Sequence, residues 1–265
     1  MLKKMILLFI LVGGLLSGYL FTQVPVLNIN KLANSYVKNE YRNESIHYRI
    51  VHKRPRKWAS LKALPKHVYY AFIVSEDWSF YNHQGVDLSQ IYMAIKDHLN
   101  GEKLRGASTI SQQLIKNLYT KSERSLKRKV FELFSTMYLE NRLTKDKILE
   151  TYLNIIEFGE GLYGITEASW FYFKKRPDDL NPKEAAFLAM LLPNPKVYSQ
   201  SFRDKELTEF ANKIVNSILN KLKVVKVITP EELDDYRDSN LSFEKTKVQS
   251  VKNKKQILED EFFEL

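Results

Sequence analysis

The stretch VYYAFIVSEDWSFYNHQG, residues 68–85, places a run of apolar and aromatic side chains directly ahead of two carboxylates, a histidine and a closing glycine. An uncharged run that ends in a polar, glycine-terminated turn reads as a buried helix meeting a loop. A carboxylate at such a junction, Glu76 or Asp77 here, is a candidate acid or base. Further along, GASTISQQ (106–113) offers hydroxyls and amides at Ser108, Thr109, Ser111, Gln112 and Gln113. That set suits sugar or phosphate oxygens better than a core.

Outward from these two motifs the pattern is helical. Pro65 stands near a helix start ahead of Val68–Val74. Asp87 is placed to cap a helix carrying Leu88, Ile91, Tyr92, Ile95 and Leu99, with Asn100-Gly101 as its stop. Ser125 caps a long helix in which Leu126, Val130, Leu133, Phe134 and Met137 share a face. Thr144 caps another, with Ile148, Leu149, Tyr152, Leu153 and Ile156 inward. Asn181, Pro182 and Glu184 spell cap, first-turn proline and capping-box acid ahead of AAFLAMLL, which stops at Pro193. Alternation of the strand type is scarce, so the expectation is a mainly α protein.

A chain of 265 residues holds one substantial domain, or a domain and an anchor. Lys3 and Lys4 precede an uncharged stretch, 5–30, long enough to cross a bilayer, which needs about 20 apolar residues. The flanking lysines favour a cytoplasmic N-terminus with the body on the far side. No A-x-A-like site follows, which favours a retained anchor over a cleaved signal peptide. The expected organisation is a transmembrane anchor at 1–28, a connecting region at 29–58 with the basic run HKRPRKW (52–58), a catalytic domain at 59–235 and a charged tail at 236–265. With no cysteine, disulfides, thiolate zinc sites and cysteine nucleophiles are excluded. A net charge of +10 calls for an anionic partner. Lipid phosphate fits an anchored protein, whereas no zinc-finger, RRM or basic-heptad pattern supports nucleic acid.

The charge has a focus: Lys116, Lys121, Arg124, Lys127, Arg128 and Lys129 are opposed within their span only by Glu123. Arg128 and Glu132 are four apart, hence neighbours on a helix. Such a set can bind a pyrophosphate while holding a second carboxylate close by. The alternative is a solvated charge run with one ion pair.

EDWSFYNHQG, GASTISQQLIKN, RKVFE, KILETYLN and AAFLAMLLPNP occur in the order and spacing of the peptidoglycan glycosyltransferases of family 51. The chain resembles that family over residues 64–199 and more weakly to 243. The resemblance implies a lysozyme-like helical domain with a membrane-associated lobe, in the monofunctional form, on the extracytoplasmic side of the cytoplasmic (inner) membrane. Its substrate would be lipid II, and its product a growing β-1,4-linked glycan strand that transpeptidases and other wall-synthesis proteins take up. The Leu88–Leu99 segment would fall in the membrane lobe, where a stripe that ordinarily faces a core would meet lipid.

By the same resemblance Glu76 is the general base that takes the proton of the acceptor 4-hydroxyl. The chemistry asks for one, because a sugar hydroxyl is a poor nucleophile. Asp77 would support it, Phe80 and His83 would shape the turn, and Gly85 would relieve its backbone. Lys116, Arg124, Arg128 and Lys129 would line the phosphate region, and Glu132 would assist departure, through a divalent cation (Mg²⁺ or Mn²⁺) that it helps to hold. Ser108, Thr109, Gln112, Gln113 and Asn117 would position the substrate. Displacement at an α-linked phosphate inverts the anomeric carbon, with two carboxylates in roles analogous to inverting glycoside hydrolysis. Lys147, Glu150, Tyr152 and Asn154 fall in a motif that is half structural, with Glu150 and Asn154 on one polar face.

Two departures stand out. Phe131 replaces a lysine often found before the final acid of RKVFE, and YFKK (172–175) lacks a glycine common at that place. They bear on phosphate affinity and loop geometry. Two further readings stay open: a lysozyme-like glycan-cleaving enzyme with Glu76 as acid, and an inactive scaffold of the wall machinery. Neither S-x-x-K occurrence has S-D-N or K-T-G partners, and no H-E-x-x-H is present.

Overall fold

The computed structural model describes residues 14, 18–19, 22–42, 45–101, 106, 108–120 and 125–245. Most of the anchor expected at 1–28 lies outside them. Among the described residues, no helix is long and apolar enough to cross a membrane. The chain divides into two compact units, one of Met1–Leu61 with Glu76–Ile156, the other of Lys62–Ser75 with Glu157–Leu265.

The first unit begins with helix α1 (Val26–Ala33) and an antiparallel hairpin of β1 (Tyr36–Arg42) and β2 (Ser45–Val51), in which Tyr36 pairs with Val51 and Arg42 with Ser45. The hairpin corrects the reading of 29–58 as a plain connecting region. Glu40 gathers Lys38, Arg42 and Arg49 at 3.2, 3.0 and 2.7 Å, which balances the charges carried on one face of the hairpin.

Helix α2 (Lys66–Glu76) spans the division, its last residue alone counted in the first unit. After it come α3 (Leu88–Leu99), α4 (Ile110–Tyr119), α5 (Leu126–Arg142) and α6 (Lys145–Ile155). Asp87, Ser125 and Thr144 are the N-caps that their side-chain chemistry predicts, each accepting a first-turn N–H. Ile110, Leu114 and Ile115 of α4 are buried, as are Leu139 of α5 and Ile148, Leu149, Tyr152 and Ile155 of α6. These side chains form the core of the unit. The hairpin closes the end of α6: Asn39 Nδ2 donates to the Asn154 carbonyl at 2.9 Å and the Tyr48 hydroxyl to that of Ile155 at 3.3 Å. Both carbonyls lack helical partners, so the contact satisfies the helix terminus.

The expected apolar face of α5 is not the buried one. Leu126 and Met137 are 82% and 54% exposed, while Glu132, Ser135, Thr136 and Leu139 are turned inward. Periodicity locates a stripe but not its cover. Helix α3 behaves likewise, with Leu88, Tyr92, Met93, Ile95 and Leu99 all exposed and Ala94 alone buried along its length.

The second unit surrounds α2's body and a wholly buried helix. After β3 (Glu157–Gly159) and β4 (Leu162–Tyr163), the chain forms α7 (Ile165–Phe173), α8 (Pro182–Leu191), α9 (Pro195–Tyr198), α10 (Gln200–Asp204), α11 (Glu209–Val224) and α12 (Pro230–Asp238). Every residue of α8 is buried, the mark of a helix packed on all sides. Its Lys183 survives burial by donating to the carbonyls of Arg237 and Ser239 at the end of α12. Tyr172, Phe173, Phe187, Phe202 and Phe243 meet with ring centroids mostly 5 to 6 Å apart. Because Leu241 is buried and Phe243 belongs to this cluster, the packed body runs beyond 235. The charged tail expected from 236 is corrected to that extent, and 246–265 lie outside the described residues.

The missing glycine of YFKK has a structural counterpart. Lys174, the C-cap of α7, sits at φ 57° and ψ 30°, a left-handed conformation that glycine adopts without a Cβ penalty. The turn is kept and the strain is carried by lysine.

Candidate active site

Glu76 ends α2, and the turn behind it is fixed by its neighbour. Asp77, buried, accepts the Ile110 N–H at 2.9 Å on one oxygen and His83 Nε2 at 2.8 Å on the other. His83 Nδ1 in turn accepts the Gly85 N–H at 3.0 Å, so the ring's proton belongs on Nε2. Asp77 therefore ties the end of α2 to the first residue of α4. Gly85 has φ +85°, and a Cβ there would lie 2.6 Å from Thr136 Cγ2 and 2.9 Å from Glu140 Cγ. The expected backbone role of this glycine is joined by a steric one.

Asp87 finishes the turn. Burial alone would raise its carboxyl, yet hydrogen bonds from Ser79, Ser89 and the Gln90 N–H prevail and hold it at about 2.

Thr109 and Gln112 form a reciprocal capping box at the start of α4, and the Thr109 hydroxyl also donates to the Gly85 carbonyl at 2.6 Å. Both side chains are engaged in holding the loop. Ser111 binds Glu140, which Lys145 reaches at 2.7 Å, locking α4 to α5. One turn into α4, Gln113 Nε2 donates to Glu76 Oε2 at 2.8 Å, while its Oε1 accepts from the Tyr152 hydroxyl at 2.9 Å.

A second group lies around Glu132. This carboxylate is 2% exposed, with Arg128 Nε 3.2 Å from one oxygen and Lys129 Nζ 3.0 Å from the other. The Arg128 contact is an ion pair without hydrogen-bond alignment, since its buried Nε has no hydrogen-bond partner. The Thr120 hydroxyl reaches the same Glu132 oxygen at 3.5 Å. Both Glu132 oxygens thus face cationic side chains. Among the described residues no group of three acidic or histidine side chains suits a metal ion.

Helix α4 relates the two groups. Gln113 and Thr120 are a heptad apart, so they fall within about 20° of one another around the axis and about 10 Å apart along it. Lys116 and Asn117, three and four residues after Gln113, lie on the same side. Lys116 is exposed and Asn117 half-buried. One helix face thus leads from Gln113, the partner of Glu76, to Thr120, whose hydroxyl reaches the cation-rich Glu132 of α5.

Of the residues singled out in the sequence, Glu76 and Gln113 are in contact, and so are Glu132, Arg128 and Lys129. Ser108 precedes the capping box, half-buried, and Arg124 lies outside the described residues. Glu150 accepts from Trp58 Nε1 at 2.8 Å and the Leu61 N–H at 2.9 Å, while Asn154 exchanges hydrogen bonds with Ala59. Lys147 donates to the Ser35 carbonyl at 2.6 Å, and burial lowers its pKa. These three residues secure segment 35–61 on α6. The contact that sequence reading missed is Tyr152 on Gln113. Its signal was a tyrosine on an apolar helix face, where a buried hydroxyl needs a partner.

The sequence model of the transglycosylase family matches residues 43–223. A biosynthetic peptidoglycan transglycosylase of Shewanella amazonensis is 41% identical over 178 residues, 67% of this chain and 71% of the relative. One from Nitrosomonas eutropha is 39% identical over 176 residues, covering 66% and 70%, and one from Shewanella oneidensis 46% over 145 residues, covering 55% and 62%.

Proposed function

The chain belongs to the transglycosylase family and is a peptidoglycan glycosyltransferase, and from that premise we propose that it polymerises lipid II into β-1,4-linked glycan at the outer face of the cytoplasmic membrane. The observation that carries the mechanism is the face of α4, with Glu76 on Gln113 at one end and Glu132, Arg128 and Lys129 at the other.

Glu76 removes the proton of the acceptor 4-hydroxyl as its oxygen bonds to the anomeric carbon of the donor. The bond from that carbon to phosphate breaks on the opposite side, so the α-linked donor yields a β-linked product. The electron pair leaves with the polyprenyl pyrophosphate, an anion that needs charge neutralisation more than a proton. Lys116, Arg128 and Lys129 supply that charge, and Glu132 keeps the latter two from splaying into solvent. The Gln113 amide N–H, donating to Glu76 Oε2 at 2.8 Å, orients the carboxylate. The exposed apolar side chains of α3 support a membrane-associated protein, for which an uncovered stripe is functional.

The test is incubation of the detergent-solubilised protein with labelled lipid II and Mg²⁺ or Mn²⁺, reading polymer length. Long glycan is expected, abolished by Glu76→Gln and strongly reduced by Glu132→Gln. Cleavage of preformed glycan without polymer would replace this reading with the hydrolytic one, and inactivity on both substrates would leave a scaffold.

A further inference from the structure

We propose that Tyr152 is a positioning residue of the transfer reaction, acting through Gln113 on Glu76; this rests on Glu76 being the base. A carboxamide has two ends of nearly equal shape and opposite polarity. Turned one way, Gln113 offers Glu76 an N–H donor and supports the ionised carboxylate. Turned the other way, it offers a carbonyl, which an ionised carboxylate repels and a protonated one accepts. The same side chain is thus a partner for the active base or for its spent form.

Tyr152 decides between the two. Its side chain is fully buried, and its hydroxyl donates to Gln113 Oε1 at 2.9 Å, leaving Nε2 to Glu76 at 2.8 Å. Burial, with the nearby charges of Glu76 and Asp77, raises the phenol well above its ordinary value, so the hydroxyl keeps its proton. Among the described residues, Gln113 is the hydroxyl's only hydrogen-bond acceptor. A flipped amide would leave that buried O–H unsatisfied and set a carbonyl against the carboxylate, two penalties of the same sign. The tyrosine has no need to touch substrate for this.

Tyr152→Phe keeps the ring and removes the lock. It is expected to lower kcat about tenfold with KM for lipid II unchanged, the loss scaled to one buried hydrogen bond. Removing the hydroxyl in a Gln113→Leu background should cost nothing more, because the element it acts through is gone. Gln113→Leu alone leaves the tyrosine in place and provides the kcat and KM comparison should the phenylalanine variant fail to fold. A kcat for Tyr152→Phe within twofold of wild type overturns the proposal. So do independent, multiplying losses in the double variant, or a rise in KM in place of the fall in kcat. If Glu76→Gln retains full activity, the base assignment itself fails and the proposal falls with it. Loss in Glu76→Gln with none in Tyr152→Phe removes the positioning role alone.

Discussion

Gly85→Ala probes how the turn after Glu76 is packed. Two costs are readable from the geometry. At φ +85° an alanine carries a left-handed backbone penalty of about 1 kcal/mol. Its Cβ would sit 2.6 Å from Thr136 Cγ2 and 2.9 Å from Glu140 Cγ, so α5 must shift or side chains must leave their rotamers, at about 1–3 kcal/mol. The Glu140 contact is the easier one to relax, being the stem of a flexible side chain, although its carboxylate is held by Ser111 and Lys145. The total, about 2–4 kcal/mol, corresponds to a fall in Tm of roughly 5–15 °C for a chain of this size. Thermal denaturation in detergent measures it.

The sharper arm adds Thr136→Ser, which deletes the methyl in the way. Alone that change should cost about 1 kcal/mol as a small buried cavity. In the Gly85→Ala background it should restore stability, a reversal of sign that only a direct clash produces. A fall in Tm under 2 °C for Gly85→Ala, or additive losses in the double variant, would refute the reasoning.

Lys174→Gly should raise stability by about 1 kcal/mol, seen as a rise in Tm of roughly 2–4 °C, because the left-handed turn at φ 57° is kept and its strain removed. Asp87 gives a pH signature: its folded carboxyl, at about 2, lies below an unfolded value near 4, so its contribution is complete above pH ~4 and disappears as pH falls toward 2. The difference is worth about 2 kcal/mol, and urea midpoints of wild type and Asp87→Asn measured from pH 6 to 2 should converge at the acid end.

What the sequence revealed was mostly local. Caps at Asp87, Ser125, Thr144 and Asn181 depend on a side chain and the next three N–H groups, and all four are formed. The same rule read past Thr109 and Gln112, whose hydroxyl and amide serve a capping box as well as they would a sugar. The β1–β2 hairpin was hidden because polar Asn39 shares a face with Val37 and Tyr41, and the Glu40–Arg49 pair becomes visible only across the strands. Burial of the Glu132 face of α5, with Leu126 and Met137 outside, runs against the usual meaning of an apolar stripe. The contacts of Gln113 with Glu76 and Tyr152 join residues 37 and 39 positions apart. No periodicity carries that information.

Helix α4 also acts as a ruler. Between Gln113 and Thr120 it fixes both the distance and the angle separating the Glu76 contact from the Glu132 cluster, and each residue added or removed there would rotate the far end by about 100° and move it about 1.5 Å. Side chains such as Leu118 can be exchanged among similar sizes, but the number of residues cannot change by one without turning Thr120 off the shared face. This segment should therefore accept substitution and reject insertion or deletion, a constraint on length that no single residue in it embodies.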